Sequence, residues 1–242
     1  MTDRISQEPG YVLHRRTYRE TSLLVDLFTL NFGRISVVAK GANSAKSPLK
    51  AQLQPFQPML LSWQGRSDLK TLTAAESRLG PELKRTQRLY CGLYLNELLQ
   101  RLLPPAEPNQ PLFAHYIETL DRLSVEDDFE PILRRFERAF VTVLGYGFAW
   151  DEVMDAGNAP VAGMHYYYDP EQGVLASPTA GSLLQGLSGE VLLQLGDDNL
   201  DSLPARRMAK RVMRVLIDHL LQGRPLHSRS LFTPSRGDHH ET

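Results

Sequence analysis

The spacing at which apolar residues recur changes at Pro81, from every second residue to that of a helix, and this change constrains the fold more than any other feature. Before it, apolar and polar residues alternate, as in Leu23–Leu27 and Ile35–Ala39, which is the pattern of half-buried strands. After it, leucines recur at helical spacing, seven of them in residues 84–103. A chain of 242 residues can bury two cores, so the pattern predicts a β-domain followed by a helical domain.

Short alternating runs predict five strands in the first eighty residues. They lie at Tyr11–Thr17, around Leu23–Leu27, around Ile35–Ala39, around Met59–Trp63 and at Asp68–Ser77. Turns join these runs, together with one longer loop at 41–55. Five short strands at this spacing are typical of a small closed barrel.

Residues 81–232 are predicted to form a helical domain. Helices are expected at 84–103, 109–124, 129–145, 181–196 and 204–221. Residues 146–180 are rich in glycine, proline and aromatic residues, so we expect an irregular insert there, in which Met164–Asp169 has the pattern of a strand. The predicted fold class is α+β, with domains at 1–80 and 81–232, and the polar tail at 233–242 is expected to fray.

Positive charge is concentrated in the N-terminal part, although the whole chain carries a net charge of −1. Residues 1–80 contain eleven Lys and Arg against six Asp and Glu, and the remainder contains sixteen against twenty-two. A basic first domain favours a polyanionic partner such as nucleic acid. The alternative is a solvated surface whose charge is merely uneven.

The sequence lacks the motifs on which familiar catalytic chemistry rests. It contains no GxSxG, HExxH or GxGxxG, and the segment at 41–47 lacks the glycine that precedes the lysine of a phosphate-binding loop. His165 is the only residue of zinc-ligand type, His or Cys, in the 146–180 insert. We therefore predict a protein that is not an enzyme and that holds no cofactor or metal.

Three features predict a cytoplasmic location without a membrane partner. No apolar run is long enough to span a bilayer. The N-terminus lacks the apolar segment of a secretory signal. Cys91, the single cysteine, excludes a disulfide within the chain, and its place among the leucines of 84–103 indicates an inert core thiol.

Nine cations near the strand ends and the 41–55 loop are the predicted DNA-binding residues. They are Arg15, Arg16, Arg19, Arg34, Lys40, Lys46, Lys50, Arg66 and Lys70. Cations on flexible loops suit a groove that follows a phosphate backbone. Tyr18, Phe32 and Trp63 are candidate stacking surfaces for bases, with core packing as the alternative.

Two predicted helices of the second domain carry basic faces. On the 129–145 helix, Arg134, Arg135 and Arg138 lie outside the apolar arc and are expected to be free for a ligand. On the 204–221 helix, five cations oppose the apolar face: Arg206, Arg207, Lys210, Arg211 and Arg214. Nucleic acid or an acidic peptide would complement such faces, and a membrane surface less well. Alternatively, the first three arginines pair with Glu130 and Glu137 on their own helix.

Several segments resemble the RecO family of bacterial recombinational-repair proteins, in the order and at the spacing of that family. They are YVLHRRTYRETSLLVDLFT, GRISVVAKGANSAKSPLKAQLQPFQPMLL, LKTLTAAE, LYCGLYLNELLQRLL, LRRFERAFVTVLGYG and PLHSRSLF. The resemblance covers about residues 11–232.

This resemblance implies an N-terminal OB-fold and a helical C-terminal domain. It also implies a recombination mediator that binds single- and double-stranded DNA, anneals complementary strands and acts at the nucleoid. With RecR, and with or without RecF, such a protein helps to load RecA onto DNA coated by single-stranded-DNA-binding protein. The resemblance assigns docking of that protein's C-terminal tail to the helical domain. The candidate tail-binding residues are Arg134, Arg135 and Arg138, or Arg207, Lys210 and Arg211.

The resemblance also bears on metal binding. Many family members carry a four-cysteine zinc site after the segment that corresponds to Leu144–Gly147. Residues 148–172 contain no cysteine here, so we expect a zinc-free insert. Packing of Trp150, Tyr166, Tyr167 and Tyr168 is expected to replace the metal.

Two alternatives from other functional classes remain open. One is an OB-fold RNA-binding assembly factor, which comparison of matched DNA and RNA strands would distinguish. The other is a protein adaptor without direct DNA binding, which salt-sensitive binding to bare DNA would exclude.

Overall fold

The structure, a computed structural model, describes residues 4–232. Its elements in chain order are β1 (Arg4–Tyr18), β2 (Ser22–Thr29), β3 (Gly33–Ala39), α1 (Pro48–Gln52), β4 (Met59–Gln64), β5 (Leu69–Ser77), α2 (Thr86–Leu102), α3 (Gln110–Val125), α4 (Phe129–Val143), β6 (His165–Asp169), β7 (Gly173–Leu175), β8 (Leu184–Ser188), α5 (Gly189–Gly196), α6 (Leu203–Leu221) and a C-terminal 3₁₀ helix (His227–Phe232). The tail at 233–242, which the sequence predicts to fray, lies outside the described residues.

The first five strands close into a barrel in the order β1-β2-β3-β5-β4, which confirms the predicted barrel and its OB-like fold. The β3–β5 pair is parallel and the other pairs are antiparallel. The interior is filled by the apolar residues of the alternating runs, among them Val25, Val37, Leu61 and Trp63. The first strand is longer than predicted because its early part pairs with β4 and its later part with β2.

By its internal contacts the chain divides into two compact units, whose bounds differ from those of the domains predicted at 1–80 and 81–232. Unit 1 comprises Met1–Glu126 and Leu226–Thr242, and unit 2 comprises Asp127–Pro225. The change from strands to helices does fall after residue 80, since α2 begins at Thr86. The first two long helices nevertheless belong with the barrel in unit 1.

A buried amide joins these two helices to the barrel. At a register shift in β1 between Val12 and His14, the carbonyl oxygens of Val12 and Leu13 accept hydrogen bonds from Asn96 Nδ2 on α2, at 3.2 and 3.0 Å. The hydroxyl of Tyr116 on α3 donates to Asn96 Oδ1 at 2.6 Å. Asn96 and Tyr116 are 2% and 0% exposed, so water cannot replace these contacts.

The C-terminal 3₁₀ helix is also anchored within unit 1. The Glu97 carboxylate on α2 accepts hydrogen bonds from the backbone of His227 and from the backbone and hydroxyl of Ser228. Burial acts to raise the pKa of Glu97, but these hydrogen bonds and the nearby Arg101 outweigh it and leave the pKa below its ordinary value. The ring of Phe232 meets Tyr90 edge-on.

Unit 2 corrects two sequence predictions. The helix predicted at 181–196 is wrong in its first half, because residues Leu184–Ser188 form β8 and the helix starts only at Gly189. Gly186 has a φ of +75°, which breaks a helix at this point. The insert predicted as irregular contributes β6 and β7 to a sheet of order β7-β6-β8, and β6 confirms the strand predicted at Met164–Asp169.

Two carboxylates hold this insert together, and neither was predicted from the sequence. Asp169, which is 2% exposed, accepts from Thr179 Oγ1 at 2.7 Å, from Glu171 N and from Gln172 Nε2. Asp155 accepts from the backbone of two residues that follow β7, Ala176 and Ser177. Of the predicted aromatic packing, Trp150, Tyr166 and Tyr168 are buried and Tyr167 is half-buried. Among residues 4–232, no three His, Cys, Asp or Glu side chains are grouped so as to hold a metal ion.

We expect Asn96→Leu to destabilise the protein by about 2–4 kcal/mol, because it removes three hydrogen bonds from the interior, two to the carbonyls of Val12 and Leu13 and one from the Tyr116 hydroxyl. Tyr116→Phe removes one of the same hydrogen bonds and should cost about 1 kcal/mol. Urea denaturation measures both changes in the free energy of unfolding. A wild-type midpoint for Asn96→Leu would show that the amide does not hold the helices to the barrel.

We expect Asp169→Asn to lower Tm by roughly 3–8 °C at pH 7. Burial acts to raise the pKa of Asp169, but hydrogen bonds from Thr179, Glu171 and Gln172 leave it lowered. The carboxylate therefore stabilises the fold above its unfolded pKa of about 3.9, and this stabilisation is lost as the pH falls through the folded value. The Tm difference between wild type and variant should accordingly shrink towards pH 3.

Two controls accompany this measurement. Glu152→Gln, an exposed charge change in the same insert, should leave Tm unchanged. A metal chelator should leave the Tm of the wild-type protein unchanged, since the insert is expected to hold no zinc. Melting upon chelation, or a wild-type Tm for Asp169→Asn, would contradict this account of the insert.

Candidate nucleic-acid interface

Five of the nine predicted DNA-binding cations are exposed and make no hydrogen bond or ion pair with any residue in the described range. They are Arg16, Arg19, Lys40, Lys46 and Arg66. Arg16 lies late in β1, Arg19 in the turn before β2, and Lys40 directly after β3, while the remaining two lie on loops. In OB-folds, the face of the second and third strands and the loops beside it form the nucleic-acid surface.

Chain geometry gathers three of these cations at one end of the barrel. Asn43 N donates to Thr21 O at 2.8 Å, which holds the loop with Lys40 and Lys46 against the turn with Arg19. The guanidinium of Arg19 also lies over the ring of Tyr18, 5.3 Å from its centroid.

Arg66 lies towards the opposite end of β3. It precedes β5, whose first residue, Leu69, pairs in parallel with Ser36. A polyanion that crosses the β2–β3 face would therefore meet cations at both margins.

The other four predicted cations have partners inside the protein. Arg15 donates to Lys50 O at 2.6 Å and to Leu53 O at 3.0 Å, beside the end of α1. Arg34 Nε donates to Leu103 O at 2.7 Å, at the end of α2. These arginines satisfy carbonyls that a helix leaves without partners at its C-terminus. Arg15 and Arg34 thus use part of their donors inside the protein, and their contribution to DNA binding stays a prediction.

The two lysines of this group make weaker internal contacts. Lys50 Nζ donates to Asn43 Oδ1 at 3.3 Å, and Lys70 Nζ donates to Ser67 O at 3.1 Å. Both bonds use one of three ammonium donors, so these lysines keep capacity for a ligand.

The three aromatic stacking candidates differ in burial. Trp63 is 1% exposed, and Phe32 packs edge-on against it with 5.3 Å between ring centroids. Phe32 and Tyr18 are both half-buried, and Tyr18 lies beneath Arg19. The alternative of core packing therefore holds for Trp63, while Phe32 is only partly buried against the same core.

The cations of α4 are not equivalent. Arg134 is 8% exposed and forms an ion pair of 2.8 Å with Glu137, which is completely buried. The expectation that Arg134 is free for a ligand is therefore wrong. Arg135 and Arg138 are partly exposed and face the Asp198 carboxylate at 2.8 and 3.8 Å.

A small cleft adjoins Arg135 and Arg138. Its apolar lining comes from Trp150, Leu195, Leu200, Ala209 and Met213. The cleft encloses about 20 Å³, which is room for a single water molecule. In this structure the cleft is thus closed to a peptide side chain.

The five cations of α6 fall into two groups. Arg206 and Lys210 form ion pairs with Asp128 and Glu130 at 2.8 and 2.5 Å. Neither acid lies on α6, so a count along that helix could not reveal them. The remaining three, Arg207, Arg211 and Arg214, are exposed.

A groove of about 630 Å³ in unit 1 was not predicted from the sequence. It lies between β1, α2 and the C-terminal 3₁₀ helix, and its apolar lining comes from Leu13, Leu93 and Leu231. Arg16 reaches one edge of the groove. Its acids are already bound, since Asp26 accepts from Ser36 and Gln100.

Comparison with known proteins places this architecture in a family. The model of the recombination protein O N-terminal domain matches residues 1–79, and that of the C-terminal domain matches residues 83–230. Within residues 4–232, no helix combines the length and apolarity needed to cross a membrane.

Similar proteins from several bacteria carry the name DNA repair protein RecO. The protein from Marinobacter nauticus is 59% identical over 238 residues, which cover 97% of each chain. The protein from Methylococcus capsulatus is 44% identical over 96% of this chain and 95% of its own. The protein from Haemophilus influenzae strain Rd is 43% identical over 93% and 94%. Both domain models and full-length similarity agree, and the chain belongs to the RecO family.

Proposed function

We propose that this protein is a DNA repair and recombination mediator that acts by binding, without catalysis, at the nucleoid of the cytoplasm. It binds single- and double-stranded DNA and anneals complementary strands. With RecR, and with RecF where that protein takes part, it helps to load RecA onto DNA coated by single-stranded-DNA-binding protein. The family membership supports the repair role. The observation that carries DNA binding is the set of unpaired cations around the β2–β3 face.

The chemistry of this face suits a mediator. Lysine and arginine that are not consumed by internal partners can neutralise phosphates and release counterions, which supplies affinity without base recognition. A protein that acts on any exposed strand requires such sequence-independent binding. The burial of Trp63 is consistent with it, because a buried ring cannot stack on a base.

We expect the double variant Lys40→Ala/Lys46→Ala to bind single-stranded DNA of all sequences more weakly. Two lost phosphate contacts should flatten the slope of log affinity against log salt by about 1.4. Fluorescence anisotropy across a salt series measures this slope. Lys84→Ala, which removes an exposed lysine paired with Glu82, is the control and should leave the slope unchanged.

Other outcomes of this titration discriminate among functional classes. An unchanged slope in the double variant would place the DNA elsewhere on the chain. Tighter binding to a matched RNA strand would favour an RNA-binding assembly factor. No binding to any bare strand would favour a protein adaptor.

We also propose that the acidic, apolar C-terminal tail of single-stranded-DNA-binding protein docks beside Arg135 and Arg138. These guanidinium groups already hold one carboxylate, that of Asp198, so their arrangement suits a carboxylate ligand. The adjoining apolar residues suit the apolar end of the tail, provided that the cleft opens.

We expect Arg135→Ala/Arg138→Ala to weaken binding of a tail peptide roughly ten- to a hundredfold, because charge-assisted contacts are lost. Binding to bare DNA should change little. Isothermal titration calorimetry with the synthetic peptide measures the effect. Arg134→Ala is unsuitable as a test, because it would leave Glu137 without its ion-pair partner in the interior.

Arg207→Ala and Arg211→Ala are the matched controls on α6. Both should bind the peptide as the wild type does. If peptide affinity survives the α4 double variant and collapses in these controls, the tail site belongs to α6.

A further inference from the structure

One strongly charged surface remains outside the functions proposed above. Arg207, Arg211 and Arg214 lie on the exposed side of α6 and are here called the α6 stripe. Arg207 and Arg214 have no hydrogen bond or ion pair with any residue between 4 and 232. Arg211 makes one long hydrogen bond, 3.3 Å, to Gln185 O, and retains other N–H donors of its guanidinium.

Neighbouring charges leave the α6 stripe with an unbalanced positive charge. The acids at the start of α4 are already paired with the other two cations of α6, Arg206 and Lys210. On α6 itself the first acid after the stripe is Asp218, one turn beyond Arg214. Three guanidinium groups thus stand side by side without a compensating carboxylate between them.

The spacing of the stripe fits a phosphate backbone. Residues at i, i+4 and i+7 share one helix face and here span about 10 Å, at a rise of about 1.5 Å per residue. Phosphates of one strand follow each other every 3.4 Å or so along a duplex axis, so the stripe spans about three of them. Guanidinium groups bind phosphate oxygens in a forked geometry.

An acidic peptide fits this surface less well. The apolar residues of α6, among them Val212, Leu216 and Ile217, are buried on its opposite side. The stripe therefore offers no apolar pocket for a hydrophobic side chain. The cleft beside Arg135 and Arg138 does have an apolar lining, which separates the two basic sites by their chemistry.

We propose that the α6 stripe binds the phosphate backbone of a second nucleic-acid strand, separately from the barrel surface. This inference rests on the proposed DNA-binding function. One chain would then hold two strands at once, one on each compact unit. Strand annealing benefits directly, because both strands are polyanions and repel each other unless cations lie on each.

The test compares two double variants that remove the same charge. Arg207→Gln/Arg214→Gln removes the unpaired cations of the stripe, and Arg206→Gln/Lys210→Gln removes the paired ones. Titration with a labelled oligothymidylate, under conditions where the chain concentration exceeds Kd, gives the number of strands bound per chain. Counting per chain keeps the result independent of oligomeric state.

We expect two strands per chain for the wild type and the paired-cation variant, and one for the stripe variant. The second binding event of the stripe variant should weaken roughly tenfold or more, and annealing should slow with it. Its first binding event should keep wild-type affinity and salt dependence. Thermal melting of all three proteins checks that the variants are folded.

Several results would overturn the inference. Two strands per chain in the stripe variant, an equal loss in the paired-cation variant, or one strand per chain in the wild type would each do so. Loss of tail-peptide binding in the stripe variant would also overturn it in favour of a peptide site. If the wild type binds no DNA at all, the proposed function itself fails, which is a distinguishable result.

Discussion

The hydrogen bonds of Asn96 are the interaction on which unit 1 depends. A register shift in β1 turns two carbonyls, those of Val12 and Leu13, towards α2, and one amide satisfies both while it also accepts from Tyr116 on α3. Because polar groups in an apolar interior are costly without partners, this network fixes the two helices on the barrel in one arrangement. The OB-like barrel is therefore not free-standing, although the family's domain models separate it from the helices.

The same demand for hydrogen-bond partners decides which cations remain available to a ligand. Arg15 and Arg34 satisfy carbonyls near helix ends, and Arg134 neutralises the buried Glu137. What remains is a smaller set of side chains on turns, loops and exposed helix faces. Surface charge in this protein is thus divided between structural and binding roles, and the division follows from geometry and not from composition.

Features that depend on neighbouring residues could be predicted from the sequence, whereas contacts between residues far apart in the chain could not. Strand alternation is a local pattern, so the barrel strands could be identified from a few residues each. Leu183, Leu184 and Leu187 have spacing compatible with a helix, and only the positive φ of Gly186 and the pairing with β6 make residues Leu184–Ser188 a strand. The bond from Arg34 to Leu103 spans 69 positions and that from Arg135 to Asp198 spans 63, so no sequence window contains both partners.

Unit 1 is discontinuous, since its last element follows unit 2 in the chain. The Glu97 carboxylate accepts a hydrogen bond from Ser228, which lies 131 positions later in the chain and is synthesised after all of unit 2. During synthesis the barrel emerges from the ribosome before unit 2 does. Until unit 2 has been synthesised, the groove beside α2 therefore lacks the wall that the C-terminal 3₁₀ helix forms. A product truncated before Leu226 would contain every residue of the barrel surface and yet lack that wall, so the barrel surface and the groove can be separated by truncation.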